Sequence, residues 1–157
     1  MKSLKIWSLA VVLLMAMVGC KPSSGPEGPG NDINGGFETI ENEWKLVSVN
    51  GEANKFHVYI SFDQGFFTMY QQMYTLDFKL YEGQYTVSGN KLSGEYFEGG
   101  AWKSEYTGGV SADGKTLTLK SADENPITCV YEACTIPEDV KNEASAGTRS
   151  EAVIPFL

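Results

Sequence analysis

Residues 83–102, GQYTVSGNKLSGEYFEGGAW, decide the fold that we predict for this chain. Both halves of the stretch alternate with a period of two, which is the pattern of half-buried β-strands. Gly89-Asn90 separates the halves and tolerates the positive φ angles that a tight hairpin turn requires. A glycine-rich turn then leads to Trp102, which we expect to open the next strand. The sequence therefore predicts a hairpin at the centre of a longer meander, with its glycines serving the turns.

Alternating segments of the same kind lie on both sides of this hairpin, separated by turn residues such as Asn50-Gly51 and Asp113-Gly114. No helical crossover is predicted between them. Strictly local connections favour an up-and-down barrel, because closing a sheet removes its exposed edges. The sequence therefore predicts an all-β, eight-stranded antiparallel up-and-down barrel. Its candidate strands are residues 44–49, 56–62, 66–70, 85–87, 92–96, 102–106, 116–120 and 127–133.

Two segments fall outside the alternation. Residues 71–82 predict either an additional short strand or an aromatic loop that closes one end of the barrel. The tail begins with Pro137-Glu138-Asp139, a favourable helix start because proline fits the first turn and acidic side chains favour that end of the helix dipole. We expect a short helix or tail packed on the barrel, with residues 153–157 as a final apolar contact.

Residues 1–19 have the three parts of a secretory signal peptide: positive charges at Lys2 and Lys5, an apolar run, and the small residue Gly19. The apolar run, residues 6–18, would span ~20 Å as a helix, against the ~30 Å of a bilayer core. It is therefore too short to remain as a transmembrane anchor, and we expect it to be removed.

Residues 17–20, MVGC, resemble the lipobox of bacterial lipoproteins, in which the cysteine is lipidated and becomes the mature N-terminus. Cys20 is therefore the predicted lipid anchor, and an ordinary signal peptide with an incidental cysteine is the alternative. Residues 20–36 are rich in Gly, Pro and Ser, a composition that predicts a flexible linker. We expect residues 37–157 to form the barrel domain, tethered to the outer membrane on either its periplasmic or its surface face.

The chain resembles the small lipocalin-like domains of lipoproteins from Bacteroides-type bacteria. The shared patterns are Trp-Lys-Leu-Val-Ser, Gly-x-Tyr-x-Val-x-Gly-Asn-x-Leu-x-Gly-x-Tyr, Gly-Gly-x-Trp and Asp-Gly-x-Thr-Leu-Thr-Leu, at residues 44–48, 83–96, 99–102 and 113–119. The resemblance covers about residues 42–137 and implies an eight-stranded barrel. Because its motifs are structural glycines and aromatic residues, it implies little about function.

The composition argues against several classes of function. The formal net charge is −8, and an acidic domain repels phosphate backbones, so we expect no nucleic-acid partner. His57 is the single histidine, and a lone histidine in a strand is far more often structural than a general base. Glu95 and Glu105 are interpreted as two exposed acids rather than as a two-carboxylate site. We therefore predict no enzyme activity, no cofactor and no metal site.

Cys129 and Cys134 lie in and just after the last candidate strand. Five residues of straight strand extend ~16 Å, whereas the Cα atoms of a disulfide lie within about 7 Å of each other. The two side chains also point to opposite faces of the strand. We therefore expect two free thiols, with Cys129 buried as a small apolar residue.

Aromatic residues of matching parity lie on the predicted inner face of the barrel. An eight-stranded barrel is just wide enough either to be filled by side chains or to hold one small ligand. The functional interpretation is a cavity for a small hydrophobic ligand, and the alternative is a structural or protein-interaction domain with a filled core. The candidate lining residues are Met69, Tyr85, Tyr96, Trp102, Tyr106 and Tyr131.

Overall fold

The computed structural model of the chain describes residues 35–73, 75–146 and 155–157. The predicted signal peptide, Cys20 and nearly all of the predicted linker lie outside the described residues. The elements are β1 Asn42–Val49, β2 Glu52–Ala53, β3 His57–Asp63, β4 Phe66–Gln72, β5 Lys79–Ser88, β6 Lys91–Tyr96, β7 Gly100–Ala101, β8 Tyr106–Val110, β9 Thr116–Ser121, β10 Thr128–Ala133, α1 Glu138–Glu143 and β11 Ser145–Ala146.

Eight of these strands form a closed antiparallel barrel. Strands β1, β3, β4, β5, β6, β8, β9 and β10 each pair with the next in the chain, and β10 pairs with β1 to close the ring. The closing register places Trp44 opposite Ala133, and the central hairpin places Gly83 opposite Tyr96. The predicted eight-stranded up-and-down, lipocalin-like barrel is therefore confirmed.

The local connections define two ends of the barrel. We call the lower end the one that carries the short turns at residues 64–65, 89–90 and 111–115. We call the upper end the one that carries the longer connections at residues 50–56, 73–78, 97–105 and 122–127. Among the described helices, none is long and apolar enough to cross a membrane.

The predicted alternation places every second side chain of a strand on the buried face of the barrel. Val58, Ile60 and Phe62 of β3 are all buried in the main core. Strand β1 changes parity part of the way along, because its register shifts between Leu46 and Ser48. Such a bulge turns the following residues over, and Val49 therefore also packs against the core at the upper end.

One predicted boundary is wrong. Trp102 does not open a strand, since β8 begins four residues later, at Tyr106. Strand β6 pairs with β8 through only two residue pairs, and the connection folds back over β6, where the Trp102 amide donates to the Gly94 carbonyl over 2.8 Å. Of the two alternatives predicted for residues 71–82, the additional strand does not form, because β4 continues to Gln72 and β5 begins at Lys79. The connection between these two strands agrees with the loop alternative.

The predicted helix packs on the outside of the barrel. Val140 of α1 is buried in a second small cluster with Tyr59 and Ile136. Lys141 of α1 forms an ion pair with Glu43 of β1, in which Nζ of Lys141 lies 3.0 Å from Oε1 of Glu43. This ion pair holds the helix to the barrel. Strand β11 then pairs in parallel with the first residues of β5, which brings the chain back to the upper end.

Candidate ligand site at the upper end of the barrel

Two glycines of the central hairpin make room for aromatic rings inside the barrel. A Cβ atom on Gly83 would lie 2.5 Å from Cε1 of Phe67, and one on Gly94 would lie 2.4 Å from Cε2 of Trp102. The expectation that the hairpin glycines serve the turns holds for Gly89, whose φ is 60°. It is wrong for Gly83 and Gly94, because in the middle of a strand the missing side chain provides space for a ring.

The rings admitted by these glycines form a continuous wall. Phe67 meets Tyr96 and Trp102 edge to face, with ring centroids 5.4 and 5.0 Å apart. Tyr81 packs on Tyr96 at 5.9 Å, and Trp102 packs on Tyr106 at 6.0 Å. Edge-to-face pairs at these distances are favourable beyond the area that they bury. The wall therefore fixes the shape of the interior.

Five of the six predicted lining residues meet in the main core, where they are between 0% and 6% exposed: Met69, Tyr96, Trp102, Tyr106 and Tyr131. Tyr85 is half-buried, and its ring packs edge to face on Phe62 at 5.0 Å. Of the six, Tyr106 lines a described cavity, and the others pack in or against the core. Their close packing fills the middle of the barrel, and free space is found nearer the upper end.

The lower end is closed by residues 35–40. Val110 of β8 donates its amide to the Gly36 carbonyl over 3.0 Å, and Phe37 and Ile40 are buried in the core. The Trp44 indole donates to the Ile40 carbonyl over 2.9 Å. Gly35 and Gly36, the last two residues of the predicted linker, therefore already contact the barrel.

The upper end is occupied by residues 155–157, which we call the plug segment. The Phe156 amide donates to Oε1 of Gln71, and the main-chain oxygen of Leu157 accepts from the Tyr96 hydroxyl, each over 2.8 Å. Leu157 is 1% exposed and belongs to the main core, while Phe156 packs against that core and is half-buried. Residues 155–157 thus close the upper end of the barrel interior.

Two cavities flank the ring of Phe156. The larger, of about 400 Å³, lies beside the β1–β3 connection and is walled by Val49 and Phe56 among others. The smaller, of about 150 Å³, lies over Tyr106 and Cys129 and is bounded by Ile127. Small-molecule sites usually have a volume of ~300–1,000 Å³. The smaller cavity lies below that range, and the larger one lies near its lower limit. Val49 and Phe156 line both cavities.

Several buried polar atoms have no hydrogen-bond partner among the described residues. They are the Tyr81 and Tyr131 hydroxyls, the Trp102 indole nitrogen and the Thr118 hydroxyl. An unsatisfied buried donor costs ~1–3 kcal/mol, so such groups usually serve a purpose. The Tyr81, Trp102 and Tyr131 groups belong to residues of the same core cluster as the Tyr96 ring, which binds the plug segment.

The ionisable groups buried in the core among the described residues are held in their neutral form. Burial raises the pKa of Tyr131 well above its usual value, and the neighbouring Cys129, Tyr106 and Tyr96 raise it further. Burial likewise raises the pKa of Cys129 to about 11. These groups therefore stay protonated at neutral pH and can donate hydrogen bonds. Among the described residues, the buried polar side chains are neutral: Gln71, Thr118 and Ser121.

The other residues considered from the sequence lie away from this site. His57 is exposed on β3, with its ring centroid 6.4 Å from that of Phe78. Glu95 is exposed, and Glu105 forms an exposed ion pair with Lys91 at 2.8 Å. The interpretation of the two acids as exposed is therefore confirmed.

The two described cysteines are free thiols, as predicted. Cys129 is buried in the main core, whereas Cys134 is half-buried beside the outer cluster that holds α1. Their positions in an inner and an outer cluster confirm that the two side chains point to opposite faces.

A third cavity, of about 520 Å³, lies on the outside near the lower end. Two of the three carboxylates that line it already have partners, since Glu41 accepts from the Gln64 amide and Glu43 from Lys141 and the Ile136 amide. This cavity is therefore accounted for by contacts that hold the chain together. The upper end is the better candidate for a ligand site.

Comparisons of the chain with known protein families, with curated proteins and with solved structures find no significant match.

Sequence reasoning missed Gln71 and the site of the plug segment. Gln71 is a completely buried amide in a strand of otherwise apolar inward residues, and a polar residue at an inward position is a signal that parity could have revealed. The apolar character of residues 153–157 predicted a contact with the barrel, and Leu157 confirms it for the described part of that stretch. That the contact lies inside the barrel depends on long-range packing.

Proposed function

We propose that this chain is a lipid-anchored protein of the bacterial cell envelope whose barrel binds a small hydrophobic molecule at its upper end. The observation that carries the proposal is the pair of cavities on either side of Phe156, above a packed aromatic floor. A concave apolar site with a few polar groups is the usual form of a small-molecule site. The apolar part of these walls comes from residues such as Val49, Phe56 and Ile127. Polar and charged side chains, among them Lys55 and Lys103, line the same cavities.

The proposed anchor is the lipid on Cys20. The MVGC pattern at residues 17–20 supports it, and the Gly- and Pro-rich linker that follows would let the barrel stand away from the membrane. Each buried methylene of an acyl chain contributes ~0.8 kcal/mol to membrane binding, so several chains give a stable anchor. The proposed location is the outer membrane, and the likeness to lipocalin-like domains of Bacteroides-type lipoproteins is part of the same proposal.

One observation favours a second candidate, a structural or protein-interaction domain without a ligand. The middle of the barrel is filled, and on its outer surface Phe66 and Phe97 are 52% and 57% exposed, with ring centroids 6.2 Å apart. An exposed aromatic pair is a common feature of protein contacts. In that case the upper cavities would bind nothing and the protein partner would meet the outer surface.

Ligand binding is tested by titrating the protein with N-phenyl-1-naphthylamine, a neutral apolar fluorophore. We expect saturable binding that Ile127→Glu weakens about tenfold, because a charge in the wall of the smaller cavity must be desolvated when the probe binds. Val87→Glu is the matched control, since Val87 is a similarly exposed β-branched residue near the lower end. Absence of saturable binding, or equal effects of the two substitutions, would contradict a site at the upper end.

The anchor is tested by labelling cells that express the full chain with radioactive palmitate. We expect label in the wild type and its loss in Cys20→Ser, while Cys134→Ser keeps the label. Equal labelling of wild type and Cys20→Ser would show that Cys20 is not the lipidated residue.

A further inference from the structure

Two exposed aromatic rings meet on the outer surface of the barrel, across β5. They belong to Phe66 of β4 and to Phe97, the residue after β6, and their ring centroids lie 6.2 Å apart. Strands β4 and β6 both pair with β5, so rings that meet from these two strands cover β5 between them. Each residue still keeps more than half of its surface in solvent. We call these two rings the phenylalanine patch.

The core does not account for these two side chains. The alternation of β4 and β6 turns Phe67 and Tyr96 inward, and it turns their neighbours Phe66 and Phe97 outward. Neither outward ring is among the residues of the main core or of the outer cluster that holds α1. Large apolar side chains that lie together on an outer surface often mark an interaction site.

Carboxylates lie next to both rings. Glu95 lies in the same row of the sheet as Phe66, because the two pair with the same residue of β5. The Glu82 carbonyl accepts from the Phe97 amide over 3.0 Å, and Glu98 follows Phe97 in the chain. All three glutamates are exposed. The surface around the patch is therefore acidic.

No cation of the described part of the chain pairs with these carboxylates. The ion pairs found there involve Lys91 and Lys141, and none of them includes Glu82, Glu95 or Glu98. Lys91 shares the outward face of β6 with Glu95 but pairs with another carboxylate, that of Glu105. Exposed acids alone are simply solvated. Beside an uncovered apolar pair, they define the charge of a partner that covers it.

From this arrangement we infer that the phenylalanine patch binds an arginine-bearing segment of another protein. A guanidinium group stacks on an aromatic face and also pairs with a carboxylate through its planar fork of donors. Phe66 and Phe97 supply the faces, and Glu82 and Glu95 supply the acceptors. Lysine carries a point charge without a planar group to stack, so it fits the same surface less well.

This inference does not depend on a ligand at the upper end. The patch lies on the outer surface, whereas the cavities beside Phe156 lie at the upper end of the barrel. The inference gives the exposed ring pair a partner of defined chemistry. Arginine and aromatic residues are both enriched where proteins meet, which agrees with such a contact.

The experiment is a nuclear magnetic resonance titration of the ¹⁵N-labelled protein with the peptide N-acetyl-Arg-Leu-Arg-Leu-Arg-amide. Low ionic strength is used, because salt screens pairs of exposed charges. We expect saturable shifts of the backbone amides in residues 66–68, 82–84 and 95–98. The peptide with lysine in place of each arginine should bind about threefold more weakly, because its ammonium groups do not stack on the rings.

The rings are tested by Phe66→Ser/Phe97→Ser. We expect the arginine peptide to bind about tenfold more weakly, since the faces on which it stacks are lost. Leu76→Ser is the control, because Leu76 is an exposed apolar residue away from the patch, and it should leave the affinity unchanged. If the double variant does not fold, Phe97→Ser alone serves, with an expected loss of about threefold.

The carboxylates are tested by Glu82→Gln/Glu95→Gln. We expect this variant to bind the arginine peptide about fivefold more weakly. Glu124→Gln/Glu132→Gln is the matched control, because it removes the same charge from other exposed positions. Glu132 lies on β10, four strands away from β5 in either direction around the barrel. The control should change the affinity by less than about twofold, since distant exposed charges are screened.

The outcomes separate this inference from the proposed function. Equal weakening by the two pairs of glutamate substitutions would show that the peptide follows net charge alone, and would overturn the inference. Equal affinity for the arginine and lysine peptides, or the absence of saturable shifts in the patch, would overturn it as well. None of these results affects the binding of N-phenyl-1-naphthylamine at the upper end, which tests the proposed function.

Discussion

At the lower end of the barrel the chain closes the interior with residues 35–40, whereas at the upper end it uses residues 155–157. The lower segment is bound through the main chain, by the hydrogen bond from Val110 to Gly36, and it approaches β8 so closely that only glycine fits. The upper segment is bound through the side chains of Gln71 and Tyr96, and cavities lie on both sides of it.

This difference indicates which end of the barrel can open. Main-chain contacts without free space move only with the strands themselves, so the lower end shares the stability of the whole domain. Side-chain contacts beside a cavity can break locally, and functional segments are drawn from the regions that open at low cost. We therefore assign the permanent closure to residues 35–40 and the displaceable one to the plug segment.

The largest effect is expected for Gly109→Ala at the lower end. A Cβ atom there would lie 2.1 Å from the Gly35 carbonyl oxygen, and the φ of 154° is itself unfavourable for alanine. We expect a loss of about 3 kcal/mol in the free energy of unfolding, measured by urea denaturation. Gly114→Ala is the control, because Gly114 also has a positive φ, of 71°, but has open space, so about 1 kcal/mol is expected. Equal losses would show that residues 35–36 do not clamp β8.

A smaller loss is expected for Leu157→Ala in the plug segment. Both Leu157 and Leu119 are buried, but Leu119 belongs to strand β9. Leu→Ala substitutions in cores cost ~2–5 kcal/mol, and we expect about 2 kcal/mol for Leu157 and about 4 kcal/mol for Leu119. The reason is that the plug segment can withdraw as a unit, whereas β9 cannot. The same urea denaturation measures both, and a larger loss for Leu157 would contradict the distinction between the two ends.

Two tyrosine-to-phenylalanine substitutions should affect the free energy of unfolding differently. Tyr96→Phe removes the donor of the main-chain oxygen of Leu157, and we expect a loss of about 1 kcal/mol. Tyr131→Phe removes a buried hydroxyl that has no partner among the described residues, so the free energy of unfolding should be unchanged or higher by up to about 1 kcal/mol. Thermal denaturation of the three proteins measures the difference. A clear destabilisation by Tyr131→Phe would mean that its hydroxyl is satisfied in the absence of ligand.

Alkaline pH should weaken the fold through Cys129, which lies beneath Phe156. Burial raises its pKa from 9.0 to about 11, so the unfolded chain loses this proton at a lower pH than the folded one. The associated stability is complete below pH 9 and is lost between about pH 9 and pH 11, with a loss of about 1 kcal/mol by pH 10. Urea denaturation at pH 8, 9 and 10 measures it. The loss should shrink in Cys129→Ala and in Phe156→Ser, and an equal loss in Cys129→Ala would assign it to other groups.

The strands and their closure followed from the sequence because they depend on local alternation. The inward faces of β3 and β4 and the turn at Gly89 are properties of short stretches, and these predictions are confirmed. The sequence predicts the strand before Asp113-Gly114 too early in the chain. Gly108 and Gly109 of β8 carry no side chain, so the alternation of buried and exposed side chains is not visible there. Their role becomes visible only with the neighbours that they approach, Thr118 and Gly35.

The candidate site followed from the sequence only in part. The matching parity of Tyr96, Tyr106 and Tyr131 predicted that their rings would meet, and they do. Whether the rings left a cavity depended on the volumes of Gly83, Gly94 and their partners across the barrel, which no local pattern encodes. The position of Leu157 beside Tyr96 joins residues that lie 61 apart in the chain, and contacts of that range are set by the assembled fold.

The central claim is that one closure is permanent and the other displaceable, and native-state hydrogen exchange of two amides tests it most directly. The Val110 amide bonds to Gly36 at the lower end, and the Phe156 amide bonds to Gln71 at the upper end. We predict that Val110 exchanges only through global unfolding and that Phe156 exchanges faster, through local opening. Equal protection of the two amides would contradict the account.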